Sequence, residues 1–392
     1  MDKRLYWLAL GTFAIGVESF AITSLLPQIA SSVSVSLAEA GYLIIIYSLA
    51  NAFGTPVLAA VTGGIDRRTV LVSAALAFAA AGLWAALSSG YGGLMAARAA
   101  MAICAGLYTA TAQATGVAIA SADHRARAIS IIVGGTTLAV AFGAPLGSLV
   151  GTLAGWRGTY VFVAIFGLVA AAAIWRLIPA GLKSAPIPLS QRLGAITVPG
   201  VPVALLTMWL YMSGAFTVIV YLSVVTVDAM QLPGGLIPAV LLAFGIGAAV
   251  GNIVGGQCSD RFGTIPTLIG ATLLSSLLQA ILALAPSLPE STRMPLFFTL
   301  MVLWGATGWA FAPPQASRLA RLAPASAPLV LSLNSSALYL GIATGSLAGG
   351  LVLDHGSATQ LPLVAIAFTV LALAVLAAGR LSWARRTAPL LG

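Results

Sequence analysis

The sequence predicts an all-α membrane protein of twelve transmembrane helices in two pseudo-symmetric six-helix halves, with both termini cytosolic. Three observations carry that prediction. Of 392 residues, 60% are apolar and only 7% charged, against about 25% charged in an ordinary soluble domain, so the apolar surface belongs in lipid. The apolar residues fall into about twelve runs of the roughly 20 residues that a bilayer core requires. The basic residues are gathered in alternate loops between those runs.

The runs lie at roughly 6–30, 38–62, 70–88, 93–119, 128–151, 159–178, 199–226, 236–257, 265–285, 294–317, 328–352 and 361–380. Lys3 and Arg4 precede the first run as in a signal peptide, but the run is too long for one and no small-residue cleavage site follows, so it is read as an uncleaved helix. With the termini cytosolic, 15 of the 18 Lys and Arg residues fall on the inner side, including Arg67, Arg68, Lys183, Arg192, Arg261, Arg318 and Arg321. The outer loops keep Arg157 and Arg293, and Glu39, Glu290 and Asp354 lie beside them. The formal charge of +9 therefore sets topology and does not imply a nucleic-acid partner. Cys104 and Cys258 sit in or at the end of helices and show no disulfide, metal-ligand or nucleophile pattern.

The chain divides into a six-helix half over 1–178, a cytosolic linker over 179–198 with Lys183, Pro186, Pro188 and Arg192, and a second half over 199–392. The halves echo one another. Asp66-Arg67 after the second run recurs as Asp260-Arg261 after the eighth, 194 residues on. The fifth run carries Gly143, Gly147 and Gly151, and the eleventh carries Gly341, Gly345 and Gly349. Small residues four apart form one flat helix face that lets a neighbour approach closely. Two such halves around a midplane site are the architecture of alternating access. Pro313-Pro314 removes backbone donors near the inner end of the tenth run and breaks the helix there.

Glu18 is the one acid evident within a span, and its second-half counterpart is Met212. A charge at that depth costs roughly 2.5–3.5 kcal/mol on insertion scales, so intramembrane acids mark pathways. Glu18 lies about 12 residues, or roughly 18 Å, into its span, and Arg98 about 6 residues, or roughly 9 Å, from the outer end of its own. The two therefore sit at similar heights in a core about 30 Å thick. A carboxylate alternating between neutral and charged forms suits proton exchange, with Arg98 as its coupling partner. The expected substrate wall is neutral and partly aromatic: Tyr47, Asn51, Tyr108, Gln113, Trp209, Tyr211, Asn252, Trp304, Asn334 and Tyr339. Rings with a polar handle suit amphipathic or hydroxylated solutes, and amides within spans need partners. His124 and His355 fall in loops and read as solvated.

These residues together resemble the major facilitator superfamily over nearly the whole chain. Asp66-Arg67 and Gly256…Asp260-Arg261-Phe262-Gly263 are similar to its Gly-x-x-x-Asp-Arg-x-Gly-Arg loop, although Thr62 replaces the leading Gly in the first copy and the second lacks trailing bases. The resemblance implies that Asp66, Arg67, Asp260 and Arg261 latch neighbouring helices on the cytosolic side. Arg98 resembles the buried Arg of a fourth-span motif tied to proton coupling. Gly143-Ala144-Pro145-Leu146-Gly147 resembles the fifth-span antiporter motif, which is associated with export. Leu25-Leu26-Pro27, Tyr47, Pro56 and Gly155-Trp156-Arg157 look like the drug:proton antiporter subgroup that holds sugar-, chloramphenicol- and purine-nucleoside-efflux proteins. Sugar-efflux members carry their acid at the position of Ser19, about 100° round the helix from Glu18.

The expectation is a proton-coupled exporter of a small organic solute, monomeric, in a bacterial cytoplasmic (inner) membrane, driven by the proton gradient without cofactor or metal. Uptake symport uses the same parts. A non-transporting sensor is disfavoured by a tail of only 12 residues after Arg380. Catalytic residues are not expected: His-Glu-x-x-His and Gly-x-Ser-x-Gly are both missing.

Overall fold

A computed structural model describes residues 2–121, 124–183 and 194–387. Residues 184–193 of the expected linker, with Pro186, Pro188 and Arg192, lie outside the described residues. Among the described residues eleven helices are long and apolar enough to cross a bilayer. One of them, Arg127–Leu177, is 51 residues long and holds two of the predicted spans. They join at Gly155, whose φ of 71° is a left-handed conformation that turns the chain back. The twelve predicted crossings are therefore present.

The helices are labelled in chain order. The first half has α1 (Arg4–Ser32), α2 (Leu37–Val61), α3 (Arg67–Leu87), α4 (Tyr91–Ile119), α5 (125–154) and α6 (156–177). The second has α7 (201–229), α8 (Ile237–Phe262), α9 (Thr264–Leu284), α10 (290–322), α11 (Ala327–His355) and α12 (Leu361–Thr387). Most observed ends run a few residues past the apolar runs, because helix continues into the polar boundary layer. Helix α2 starts on a capping box in which Ser36 and Glu39 satisfy each other's backbone N–H groups. Helix α10 breaks at Phe311 and restarts with prolines in the first turn of Ala312–Leu322, where their missing donors cost nothing.

Three spans contain a wide π-helical turn: 50–54 in α2, 139–143 in α5 and 225–229 in α7. Such one-residue insertions re-aim the side chains beyond them.

The two halves are built by the same packing. Helix α5 presents Gly143, Gly147 and Gly151 to Val17, Ala21 and Leu25 of α1, and a methyl at these glycines would fall within 2.2–2.6 Å of those side chains. Helix α11 presents Gly341, Gly345 and Gly349 to α7, where the nearest atoms include the Trp209, Ser213 and Thr217 carbonyl oxygens. The repeated glycine stripe is thus one device used twice, α5 on α1 and α11 on α7.

Contacts between halves run along α2 with α11, α5 with α8, and α1 with α7. At Gly245 the backbone of α8 reaches Val140 and Ala141 of α5. Three serine hydroxyls of the second half donate to carbonyl oxygens of the first: Ser223 to Thr23 (3.2 Å), Ser336 to Ala52 (2.9 Å) and Ser346 to Gly41 (3.1 Å). Twelve crossings put both chain ends on one side. Two of the three bonds, Ser223–Thr23 and Ser346–Gly41, lie toward the other side.

The packing predicts opposite outcomes for two glycine substitutions. Gly345→Ala would drive a methyl to 2.4 Å from the Ser213 carbonyl oxygen, and is expected to destabilise by about 1–3 kcal/mol. Gly270→Ala on α9 meets open space and is expected to be neutral or stabilising by up to about 1 kcal/mol. Thermal unfolding of the detergent-solubilised protein reads both.

Candidate functional site

Helix α1 is apolar on every side, so what distinguishes its residues is the neighbour each face meets. Val17, Ala21 and Leu25 face the α5 glycines. Gly11 faces Tyr108 of α4. Ile15, Gly16, Ser19, Phe20 and Thr23, spaced i, i+1, i+4, i+5 and i+8, face a cavity of about 260 Å³ between the halves. These positions lie near the middle of α1, and the residues contributed by α10 and α11 lie near the middle of those helices. The cavity is therefore at the midplane.

Glu18 points away from the cavity toward α4. It is 3% exposed and Arg98 1%. Glu18 Oε1 and Arg98 Nη1 form an ion pair, the one bridge between spans among the described residues. Glu18 Oε2 has no hydrogen-bond partner. The guanidinium is held from other directions too. Its Nε donates to the Leu43 carbonyl at 3.2 Å, and its carbon lies 4.5 Å from the centre of the Tyr47 ring. Tyr160 of α6 lies beside it. Arg98 reaches the cavity wall while Glu18 stands behind it. A solute in the cavity can therefore meet the base directly and the acid only through it.

The first-half wall is rich in hydroxyls: Ser19, Thr23, Ser48, Thr109 and Thr136 beside Tyr47. The Ser19 and Tyr47 hydroxyls lie 3.2 Å apart. The second-half wall is aromatic and apolar, with Tyr211, Phe216, Phe244, Trp304, Trp309 and Tyr339. A larger hollow of about 370 Å³ opens at the surface by Leu5, Ile119 and His124. It is remote from the ion pair, so the midplane cavity is the candidate site.

Four of the ten expected wall residues line the cavity: Tyr47, Tyr211, Trp304 and Tyr339. The other six do not. The Asn51 amide donates to the Ala102 carbonyl at 3.1 Å and ties α2 to α4. The Tyr108 hydroxyl donates to the Leu8 carbonyl at 3.2 Å and fills the space left by Gly11. Trp209 is 38% exposed on the outer surface, its indole bonded to Thr344. Asn334 accepts from Gln315 at 3.3 Å, away from the cavity. Gln113 and Asn252 are half-buried off the wall. The sequence reading missed Phe20, Phe216, Phe244 and Trp309. Each looks like ordinary lipid-facing or core aromatic residue in a composition this apolar.

At the loop after α2, the Arg67 side chain donates to the Ala114 carbonyl of α4 at 2.8 Å, and its backbone N–H donates to Leu182 beyond α6 at 2.9 Å. Arg68 stacks on Trp175 of α6 and donates to its carbonyl. Asp66 stands before the first turn of α3 without capping it. In the second copy Asp260 and Arg261 are exposed, and Arg261 lies over Phe262 of its own helix. The bond across helices there comes instead from Arg321 to Thr264 at 2.5 Å. Pro145 opens the helical segment after the π turn of α5, between the packing residues Gly143 and Gly147.

The profile described as Major Facilitator Superfamily matches residues 8–325 and, in a second alignment, 204–390. The chain belongs to that superfamily. It is 32% identical over 367 residues to a chloramphenicol resistance protein of Streptomyces lividans, covering 93% of this chain and 92% of that one. It is 26% identical over 359 residues to a probable sugar efflux transporter of Mannheimia succiniciproducens, covering 90% and 87%. Among solved structures, a bacterial homolog of the human lysosomal transporter Spinster, in an inward-facing and occupied conformation, superposes with a TM-score of 0.70. That match is at 17% identity over 96% of each chain, and it shares the fold. The protein is thus a multi-pass transporter of the superfamily with efflux-type relatives.

The burial of the pair makes its members interdependent. Removing one partner of a buried ion pair costs about 3–5 kcal/mol, largely because the other charge is left unpaired. Arg98→Leu is expected to lower the unfolding temperature sharply, and Glu18→Gln with Arg98→Leu to recover most of the loss. Additive losses in the double variant, read by thermal unfolding, would mean the two do not act as a pair.

Proposed function

We propose that this chain is a proton-coupled exporter of a small organic solute, lying in a bacterial cytoplasmic membrane with its termini in the cytosol. The observation that carries the reading is the placement of Glu18 and Arg98. Glu18, the one buried carboxylate among the described residues, is sealed behind an arginine that itself forms part of the cavity wall. With Glu18 ionised the pair is neutral and the guanidinium is held against α1. A proton on Glu18 releases Arg98 and leaves the site one charge more positive. Proton and solute thereby act on the same guanidinium from opposite sides, which couples their occupancies through one group; the antiport direction is taken from the efflux-type relatives. One titrating carboxylate sets about one proton per cycle.

Export is supported by the efflux names of relatives at 32% and 26% identity, and the cytosolic placement of the termini by the basic residues gathered on their side. The mixed wall, hydroxyls on one half and rings on the other, suits neutral amphipathic solutes: sugars, nucleosides or amphenicol-like drugs. The bridges from Arg67 to α4 and past α6 serve as the cytosolic latch of the first half.

The test is substrate-driven proton movement in inside-out vesicles acidified within. Addition of a transported solute to wild type is expected to raise the lumenal pH, and Glu18→Gln to abolish that rise. A lumenal pH that falls on solute addition would point to symport instead. Full coupling in Glu18→Gln would place the proton site elsewhere.

A further inference from the structure

The cavity holds a continuous run of five rings that the mechanism above leaves unused. Phe216 lies 6.4 Å from Phe20, Phe20 5.8 Å from Trp309, Trp309 5.6 Å from Phe244, and Phe244 5.4 Å from Trp304. Four of these rings belong to the second half. Phe20 alone comes from the first, from α1, two residues past Glu18. The run is therefore joined across the halves only through Phe20.

Where the halves separate, the second-half rings move together and the joins to Phe20 open. At 5.8 Å and an interplanar angle of 52°, Phe20 and Trp309 are too close to admit anything between them. A flat ring packs at about 3.5–4.0 Å from each neighbour, so a parting of roughly 2 Å would seat one. With the two rings inclined at 52°, the inserted ring would meet one of them offset-stacked and the other tilted, and both are favourable ring–ring contacts. The Ser19 hydroxyl, next in sequence to Phe20, supplies a polar group on the same cavity wall, beside the Tyr47 hydroxyl.

We propose that Phe20 and Trp309 form a clamp that selects solutes with a planar ring bearing polar groups at one edge. The proposal rests on the transport reading for its setting and deepens it by naming the solute class. The clamp also lies on the helix that carries the proton site, so the displacement that admits a ring acts on the segment holding Glu18.

The experiment uses the purified full chain and two probes: chloramphenicol, which carries a planar nitrophenyl ring, and methyl-β-galactoside, a non-planar polyol. Equilibrium binding is measured for wild type, Phe20→Leu, Trp309→Leu and the ring-conserving Phe20→Tyr and Trp309→Phe. Wild type is expected to prefer chloramphenicol. The two Leu variants should weaken chloramphenicol binding about tenfold or more, and the ring-conserving variants less than about threefold. Binding of the galactoside should not follow this pattern. Chloramphenicol affinity unchanged in both Leu variants overturns the clamp, as does a wild type that prefers the galactoside or binds neither probe. Proton movement with the same probes separates the two readings. Galactoside-driven proton flux without chloramphenicol binding sinks the clamp and keeps the antiporter. Ring-dependent chloramphenicol binding without proton flux from either probe keeps the clamp and sinks the antiporter.

Discussion

The contact on which the rest of the structure depends is the ion pair between Glu18 and Arg98. Neither charge is tolerable alone at that depth, where each costs several kcal/mol. Each is therefore tied to the other, and α1 is tied to α4. The guanidinium also binds the Leu43 carbonyl and the Tyr47 ring, so α2 is drawn into the same node. Helix α1 must then meet α5 at a fixed rotation, and the glycine stripe of α5 is what lets it come close while Glu18 keeps its aim. A bulkier residue on that stripe would be felt at the carboxylate as a change in the angle of approach.

Much of this architecture was legible in the sequence, and for clear physical reasons. A span shows as a run of apolar residues because lipid tolerates nothing else, and the repeat shows as Asp66-Arg67 against Asp260-Arg261 and as two glycine stripes. Glu18 stood out because a buried acid is costly, and Arg98 because it lay at the matching height. The cavity wall was less legible. Asn51 and Tyr108 were marked for their polarity, yet their polar groups close backbone gaps between helices. Trp209 looked like a substrate ring and lies on the outer surface. Phe20, Phe216, Phe244 and Trp309 carry no polar signal, so only the rotation of their helices puts them in the cavity. A second feature is the π turns in α2, α5 and α7, each an extra residue that shifts the face beyond it. The sequence does not announce them.

The division of the wall has a physical origin in the same duplication. Both halves use one packing scheme, but only the first carries the acid and the base. The Ser19, Thr23 and Thr109 hydroxyls of that half donate to carbonyls of their own helices and keep acceptor capacity of their own. Around Met212, the counterpart of Glu18, there is no charge to answer, and the space has been taken by rings. One packing scheme used twice thus carries contrasting chemistry, with the ion pair and the hydroxyls in one half and the apolar rings in the other.

The serine bonds between halves have an energetic consequence. A hydroxyl on a helix can donate instead to the carbonyl four residues back in its own chain, as Ser213 and Thr217 do here. Ser223, Ser336 and Ser346 can make that exchange when the halves part, so separation need not strand a donor in a dry interface. Because the lost and gained bonds are of one kind, these three bonds add little to the free-energy difference between sealed and parted arrangements. What occupies the space between the halves then weighs more heavily in the ratio of the two arrangements.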